Sequence, residues 1–269
     1  IYDIINSHMS DNLRSAVVAK GYDPREFSIF AFGGNGPMHA ASYGRELGVE
    51  KVYILSVASV FSAFGIASSD VVRTYKFTRL HNMPADVDAI NSTFSEMEKN
   101  ALKDMEAEGF KPESVALIRE MDLRYTRQVH EVPVGVENKK LTDKDLEKVV
   151  SNWEEVYEKL FGKGSGYKEA GIQIVSFRVT ARSSPVKPRI RTYPLDDKDP
   201  TQALKGKRDA FFRKYGGFKG TDIYDYERLK SGNILSGPAI IEAPNTTMVI
   251  LPDQEAIVDE YLNVVITKL

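Results

Sequence analysis

Ten consecutive residues, Phe30-Ala-Phe-Gly-Gly-Asn-Gly-Pro-Met-His39, combine an apolar strand, three glycines, a proline suited to a first helical turn and a histidine. A strand that ends in a glycine-dense turn and then opens a helix leaves backbone N–H groups at the helix N-terminus. There the partial positive charge and the missing side chains favour close approach of an anionic or planar ligand. Gly33, Gly34 and Gly36 would supply bare main chain, and Asn35 an amide that reaches a ribose or a base. His39 follows in the first turn, where the helix field opposes protonation and leaves a neutral imidazole to hydrogen-bond a ligand. Each residue also has an ordinary structural reading. The glycines suit a tight strand-to-helix connection, Asn35 a turn position that tolerates left-handed backbone, and His39 a contact to local backbone or a neighbouring domain.

Other candidates carry less chemistry. Gly162-Lys-Gly-Ser-Gly-Tyr-Lys168 has phosphate-loop composition but the wrong order, because a helical pattern precedes it and a strand pattern follows. It reads as a flexible connector. His8, His39, His81 and His130 lie far apart, without a zinc-ligand spacing, so no metal site built from this chain alone is expected. Glu242 and Asp259-Glu260 fall among strands and turns where solvated carboxylates are common, and no G-x-S-x-G elbow occurs.

Composition narrows the class further. The chain has 269 residues, 28% of them charged, a net charge of −2 and no long run of one sign, which argues against nucleic acid or an anionic membrane as partner. The basic stretch from Arg178 to Arg191 contains prolines and reads as a solvated connector. Zero cysteines exclude disulfides, thiolate metal sites and a cysteine nucleophile. No apolar run nears the roughly 20 residues that span a bilayer, and no signal-peptide pattern appears, so a cytoplasmic protein is expected.

The elements that must position the glycine turn follow from periodicity. Ile1, Ile4, Ile5, Met9, Leu13, Ala16 and Val17 define one apolar face of a first helix, which stops at Gly21. That helix begins at once and without a cap, the expectation being a piece of a longer polypeptide, or half of a split subunit whose other half covers the face. A buried strand over 27–32, a helix over 37–47, a strand over 51–55 and a small-residue helix over 59–69 give a parallel α/β layer. Beyond about Tyr75 the pattern predicts a helix over 86–107, two strands within 115–136 and a helix over 142–161 capped by Thr142. Strands follow over 172–181, 210–214, 239–242, 246–251, 256–259 and 264–267, the tail forming a small antiparallel assembly. The expected domains are therefore 1–75 and 76–269.

Five blocks, in order, resemble the hydantoinase A/5-oxoprolinase family, which includes the ATP-binding subunits of acetone and acetophenone carboxylases. They are Gly21-Tyr-Asp-Pro-Arg25 with Phe30 to Ala40, then Ser62 to Asp70, Leu123 to Glu131, Phe161 to Tyr167 with Phe177 to Ala181, and Ser236 to Thr247. The resemblance covers nearly the whole chain. It implies an α/β fold: part of an actin-like layer, of the sugar-kinase and chaperone ATPase type, followed by a β-rich α+β C-terminal domain. In such ATPases a Gly-Gly turn of this kind approaches the adenosine half of the nucleotide, which assigns Gly33, Gly34, Asn35, Gly36 and His39 to a nucleotide-binding wall. The cofactors implied are ATP and Mg²⁺, the phosphates and metal being held mainly by segments upstream of this chain. The activity implied is phosphorylation of a carbonyl or lactam oxygen, for ring hydrolysis of a hydantoin, oxoproline or lactam, or for ketone carboxylation. The partners implied are an N-terminal half of the same subunit type, a hydantoinase B-like subunit, and a cyclic amide or ketone substrate; the chain alone would be inactive. A rival reading is a non-catalytic assembly module that keeps subunit contacts without binding nucleotide. A third, a free-standing α/β binding domain, conflicts with the uncapped apolar first helix.

Overall fold

The computed structural model describes residues 1–268 and shows an α/β protein with three mixed or antiparallel sheets and five α-helices among those residues. By its internal contacts the chain divides into two compact units, residues 1–68 with 188–269, and residues 69–187.

In the first unit, α1 (Tyr2–Val18) packs on α2 (Gly36–Leu47), and α2 packs on β1 (Ile29–Ala31), β2 (Lys51–Ile54) and a strand from the far end of the chain, β11 (Thr246–Ile250). β1 and β2 are parallel, as the βαβ pattern requires. The strand at 27–32 is shorter than expected and only half-covered. Ala31 faces the core, while Phe30 is 57% and Phe32 48% exposed, because β1 is an edge strand. α3 (Phe61–Ser68) follows a single 3-10 turn over Ala58–Val60 and buries none of its residues.

The tail does not form an assembly of its own. β13 (Val264–Lys268) pairs antiparallel with β2, and β12 (Gln254–Val258) and β9 (Ile234–Ser236) extend the same sheet in the order β1-β2-β13-β12-β9. The second sheet holds β7 (Leu204–Phe212), β8 (Gly217–Asp225), β10 (Ala239–Ala243) and β11, with β10 parallel to β8. Contacts therefore break near residues 68 and 187. Ala31, Ile54, Leu235, Ile241, Met248 and Val264 share one core although the chain leaves it for more than a hundred residues. Gly237 shows how tightly the strands are set: a Cβ there would sit 1.8 Å from the Leu251 carbonyl oxygen.

The second unit is an antiparallel sheet, β3-β6-β4-β5, formed by β3 (Val71–Asn82), β4 (Val115–Tyr125), β5 (Val132–Val136) and β6 (Ile172–Ser183). One face carries Met121, Leu123, Phe177 and Val179 against α4 (Val87–Ala107) and α5 (Asp143–Phe161). The amphipathic spacing is realised as read: Ile90, Phe94, Met97, Ala101 and Met105 of α4, and Leu146, Val149, Trp153 and Tyr157 of α5, are buried. Asp86 caps α4, and Thr142 with Asp145 forms a capping box on α5. Residues 178–183 of the basic stretch belong to β6 rather than to a connector. No helix among the described residues is long and apolar enough to cross a membrane.

Candidate functional site

β1 delivers the chain to the glycine turn and α2 carries it away. Gly33 has φ +84°, a left-handed conformation that only glycine adopts without strain, and its N–H donates to Ala58 O at 2.7 Å. Gly34 is exposed, and its carbonyl accepts a hydrogen bond from Thr246 Oγ1 at 2.8 Å. Asn35 takes the N-cap position of α2 with φ −106° and makes no capping side-chain bond. It is therefore not the left-handed turn residue the sequence suggested, since Gly33 fills that role. Gly36 opens the helix, and a Cβ there would meet nothing within 4 Å. Among the described residues, no acceptor meets the N–H groups of Gly34, Asn35 or Gly36. Those donors lie at an exposed helix start, where a ligand oxygen or nitrogen gains from both hydrogen bonding and the helix field.

His39 stands apart from this surface. Its ring is buried, stacks on Tyr2 with centroids 4.9 Å apart, and places Nδ1 3.2 Å from Asn6 Oδ1. The Asn6 amide also donates from Nδ2 to Tyr2 O, which leaves Oδ1 to accept and sets the Nδ1–H tautomer of His39. Burial holds the imidazole pKa below its ordinary value. The structure thus gathers Gly33 to Gly36 at one surface and commits His39 to the α1–α2 contact.

Beside the turn runs a groove of about 610 Å³ lined by Phe30, Leu55, Phe61, Phe64, Arg189 and Tyr261, among others. Phe32 joins the two, its ring 5.3 Å from that of Phe61. A second concavity of about 500 Å³ lies between α1, α2 and the β7–β8 hairpin. On its wall Arg45 donates to both Tyr215 and Asp253, and burial with the Asp253 hydrogen bond pushes the Tyr215 hydroxyl up to about 12.

Residues of the remaining sequence blocks enter structural ion-pair networks. Asp70 accepts from Ser184 Oγ at 2.7 Å and pairs with Lys187 and Arg182; these partners hold its carboxyl well below the usual carboxylate range. The bonds tie together the two ends of the second unit. Asp122, almost fully buried on β4, accepts from Ser176 at 2.6 Å, Lys76 at 2.8 Å and Arg178 at 3.0 Å, while Arg178 also reaches Glu120 and Lys76 reaches Glu131. The Ser236–Thr247 block builds the β10–β11 hairpin, whose tip at Pro244-Asn245 rests on Gly34. The glycine turn leaves backbone donors unused at an exposed helix start, whereas elsewhere in these blocks the buried Tyr125 hydroxyl and Ser165 Oγ have no hydrogen-bond partner among the described residues. The participation of Thr246 and the aromatic groove was not legible in the sequence, because the contact joins residues 212 positions apart.

Residues 80–266 match the hydantoinase/oxoprolinase C-terminal domain, and residues 1–75 match the hydantoinase/oxoprolinase domain. The chain belongs to the hydantoinase/oxoprolinase family. Its relatives include enzymes: it is 30% identical over 267 residues to the acetophenone carboxylase gamma subunit of Aromatoleum aromaticum, covering 96% of this chain and 36% of that subunit. It is 26% identical over 265 residues to the 5-oxoprolinase of Saccharomyces cerevisiae, covering 94% of this chain and 20% of that enzyme. Among solved structures, the nucleotide-free form of acetone carboxylase, an enzyme of ATP-dependent acetone carboxylation, superposes with a TM-score of 0.91 at 26% identity, over 99% of this chain and 39% of that one. The chain thus spans between a fifth and two fifths of the length of these relatives.

Proposed function

We propose that this chain forms the nucleoside-side wall of an ATP site in an enzyme that activates a carbonyl or lactam oxygen. The observation that carries the reading is the exposed turn at Gly33 to Gly36, with three unused N–H donors at the start of α2 and an aromatic groove alongside. Bare backbone admits a flat base or a ribose to contact distance, and the free donors suit its oxygen and nitrogen acceptors. The donor set fits the nucleoside half. It does not fit a triphosphate with Mg²⁺, for which the described residues contain no cluster of three His, Cys, Asp or Glu side chains able to hold a metal ion. The phosphates and the metal accordingly fall to an N-terminal half of the same subunit type.

When bound, ATP would supply a phosphoryl group to the substrate oxygen, activating the lactam for ring hydrolysis or the ketone for carboxylation. This chain's contribution is binding and orientation: Gly33 fixes the turn, Gly34 and Gly36 keep side chains out of the way, and the N–H groups of Asn35 and Gly36 engage acceptors. A hydantoinase B-like subunit would complete the reaction on a cyclic amide or ketone, the chain being inactive alone and working in the cytoplasm. A second reading, an assembly module without nucleotide, draws on the half-exposed Ile4, Ile5 and Leu13 of α1.

The two readings separate in the assembled enzyme. A side chain at position 36 meets open space, so Gly36→Val folds normally while crowding the bare main chain. Calorimetric titration with ATP is expected to show affinity reduced tenfold or more, in the range of one or two lost contacts. Wild-type affinity in this variant would favour the assembly module.

A further inference from the structure

We propose that Thr246 is a positioning residue that aims the Asn35 N–H toward the bound nucleoside. The inference rests on the nucleotide reading of the glycine turn and adds a residue from the opposite end of the chain. Thr246 begins β11 directly after the two-residue tip of the hairpin, and its Oγ1 donates to Gly34 O at 2.8 Å. The Gly34–Asn35 peptide is trans, so its C=O and the Asn35 N–H lie in one plane and point in opposite directions. Holding the oxygen against the hairpin therefore turns the N–H away from it. A Cβ built on Gly34 would lie 3.8 Å from Asn245 O, which places the tip within van der Waals reach of the turn. On the other flank the Gly33 N–H is held by Ala58 O at 2.7 Å.

The peptide is thus held at its oxygen, and the chain is anchored two peptide units upstream at the Gly33 N–H, while the Asn35 donor stays free. Preorganisation of this kind lowers the ordering cost of binding without adding a contact to the ligand. Without the hydroxyl the Gly34–Asn35 peptide can rotate, and the donor direction is lost before any nucleotide arrives.

Thr246→Val keeps the shape and removes the hydroxyl. In the assembled enzyme its Kd for ATP, by calorimetric titration, is expected to rise about tenfold, the loss appearing in KM for ATP more than in kcat. Thr246→Ser, which keeps the donor, is expected to bind like wild type. The 15N order parameter of the Asn35 amide in the nucleotide-free enzyme gives a readout independent of turnover and should fall in Thr246→Val alone. Unchanged affinity and order parameter in Thr246→Val, beside weakened binding in Gly36→Val, overturn the positioning role and leave the nucleotide site standing. Wild-type affinity in both variants overturns the site and this role together. If Thr246→Val melts early, Thr246→Ser decides: a folded Ser variant that binds ATP poorly also overturns the role of the hydroxyl.

Discussion

His39 illustrates how one side chain changes meaning once its neighbours are known. In sequence it follows the glycines closely enough to meet the same ligand, yet its ring faces Tyr2 and Asn6 of α1. Burial lowers its pKa, so the folded protein resists a charge that the unfolded chain accepts near pH 6.5. Between that value and the lower folded pKa the unfolded state binds more protons, and stability is lost as pH falls. We expect the α1–α2 contact to loosen as pH drops from 7 toward 5, read as lower amide protection, relative to intrinsic exchange at each pH, in residues 2–18. His39→Gln should flatten that dependence. A wild-type protein whose α1 protection ignores pH would show that burial of the ring does not oppose its charge.

At the level of elements, the helices of the second unit owe their seating to apolar faces, but one buried ion pair fixes how α4 meets β4. Arg119 gives Nε and Nη2 to the Glu98 carboxylate at 2.6 and 2.7 Å, Nη1 to Lys139 O at 2.6 Å, and lies 4.9 Å over the Phe94 ring. Both partners are largely removed from water, with side chains 9% and 15% exposed. Removing one partner leaves the other charge buried and unpaired, which costs about 3–5 kcal/mol, whereas an apolar pair of similar volume is tolerated far better. Glu98→Ala is therefore expected to lose about that much in denaturant unfolding followed by Trp153 fluorescence. The double variant Glu98→Leu with Arg119→Met should recover most of it. Equal losses in the two would show that the pair acts through something other than its charge.

For the whole molecule the decisive feature is discontinuity. Residues 69–187 contain a complete core in which Trp153, Phe94 and Phe177 are fully buried, and the Asp70 network ties the ends of that segment together. Expressed alone, residues 69–187 are expected to melt in one cooperative transition, with the buried emission of Trp153 as the probe. Residues 188–269 alone should stay unfolded, because β13 loses β2 and the shared core loses α2. A folded 188–269 fragment, judged by dispersed amide signals, would contradict this division.

What the sequence by itself determined is local. Heptad-like apolar spacing located α1, α4 and α5, Asp86 and Thr142 marked helix starts, and the run of glycines before Pro37 placed the strand-turn-helix that carries the candidate site. It missed β3, β8 and β9: β3 buries none of its residues, β8 opens on four unburied residues, and β9 has only three residues, so no buried face or length stood out. Tertiary structure decided the rest. It returned β11 to α2 and β13 to β2, turned His39 toward α1, made Phe30 and Phe32 an exposed edge, and set Thr246 on Gly34. Helices and turns are written by interactions within a few residues, whereas strand partners and the walls of a site are chosen by burial and hydrogen bonds across two hundred, which a linear pattern does not encode.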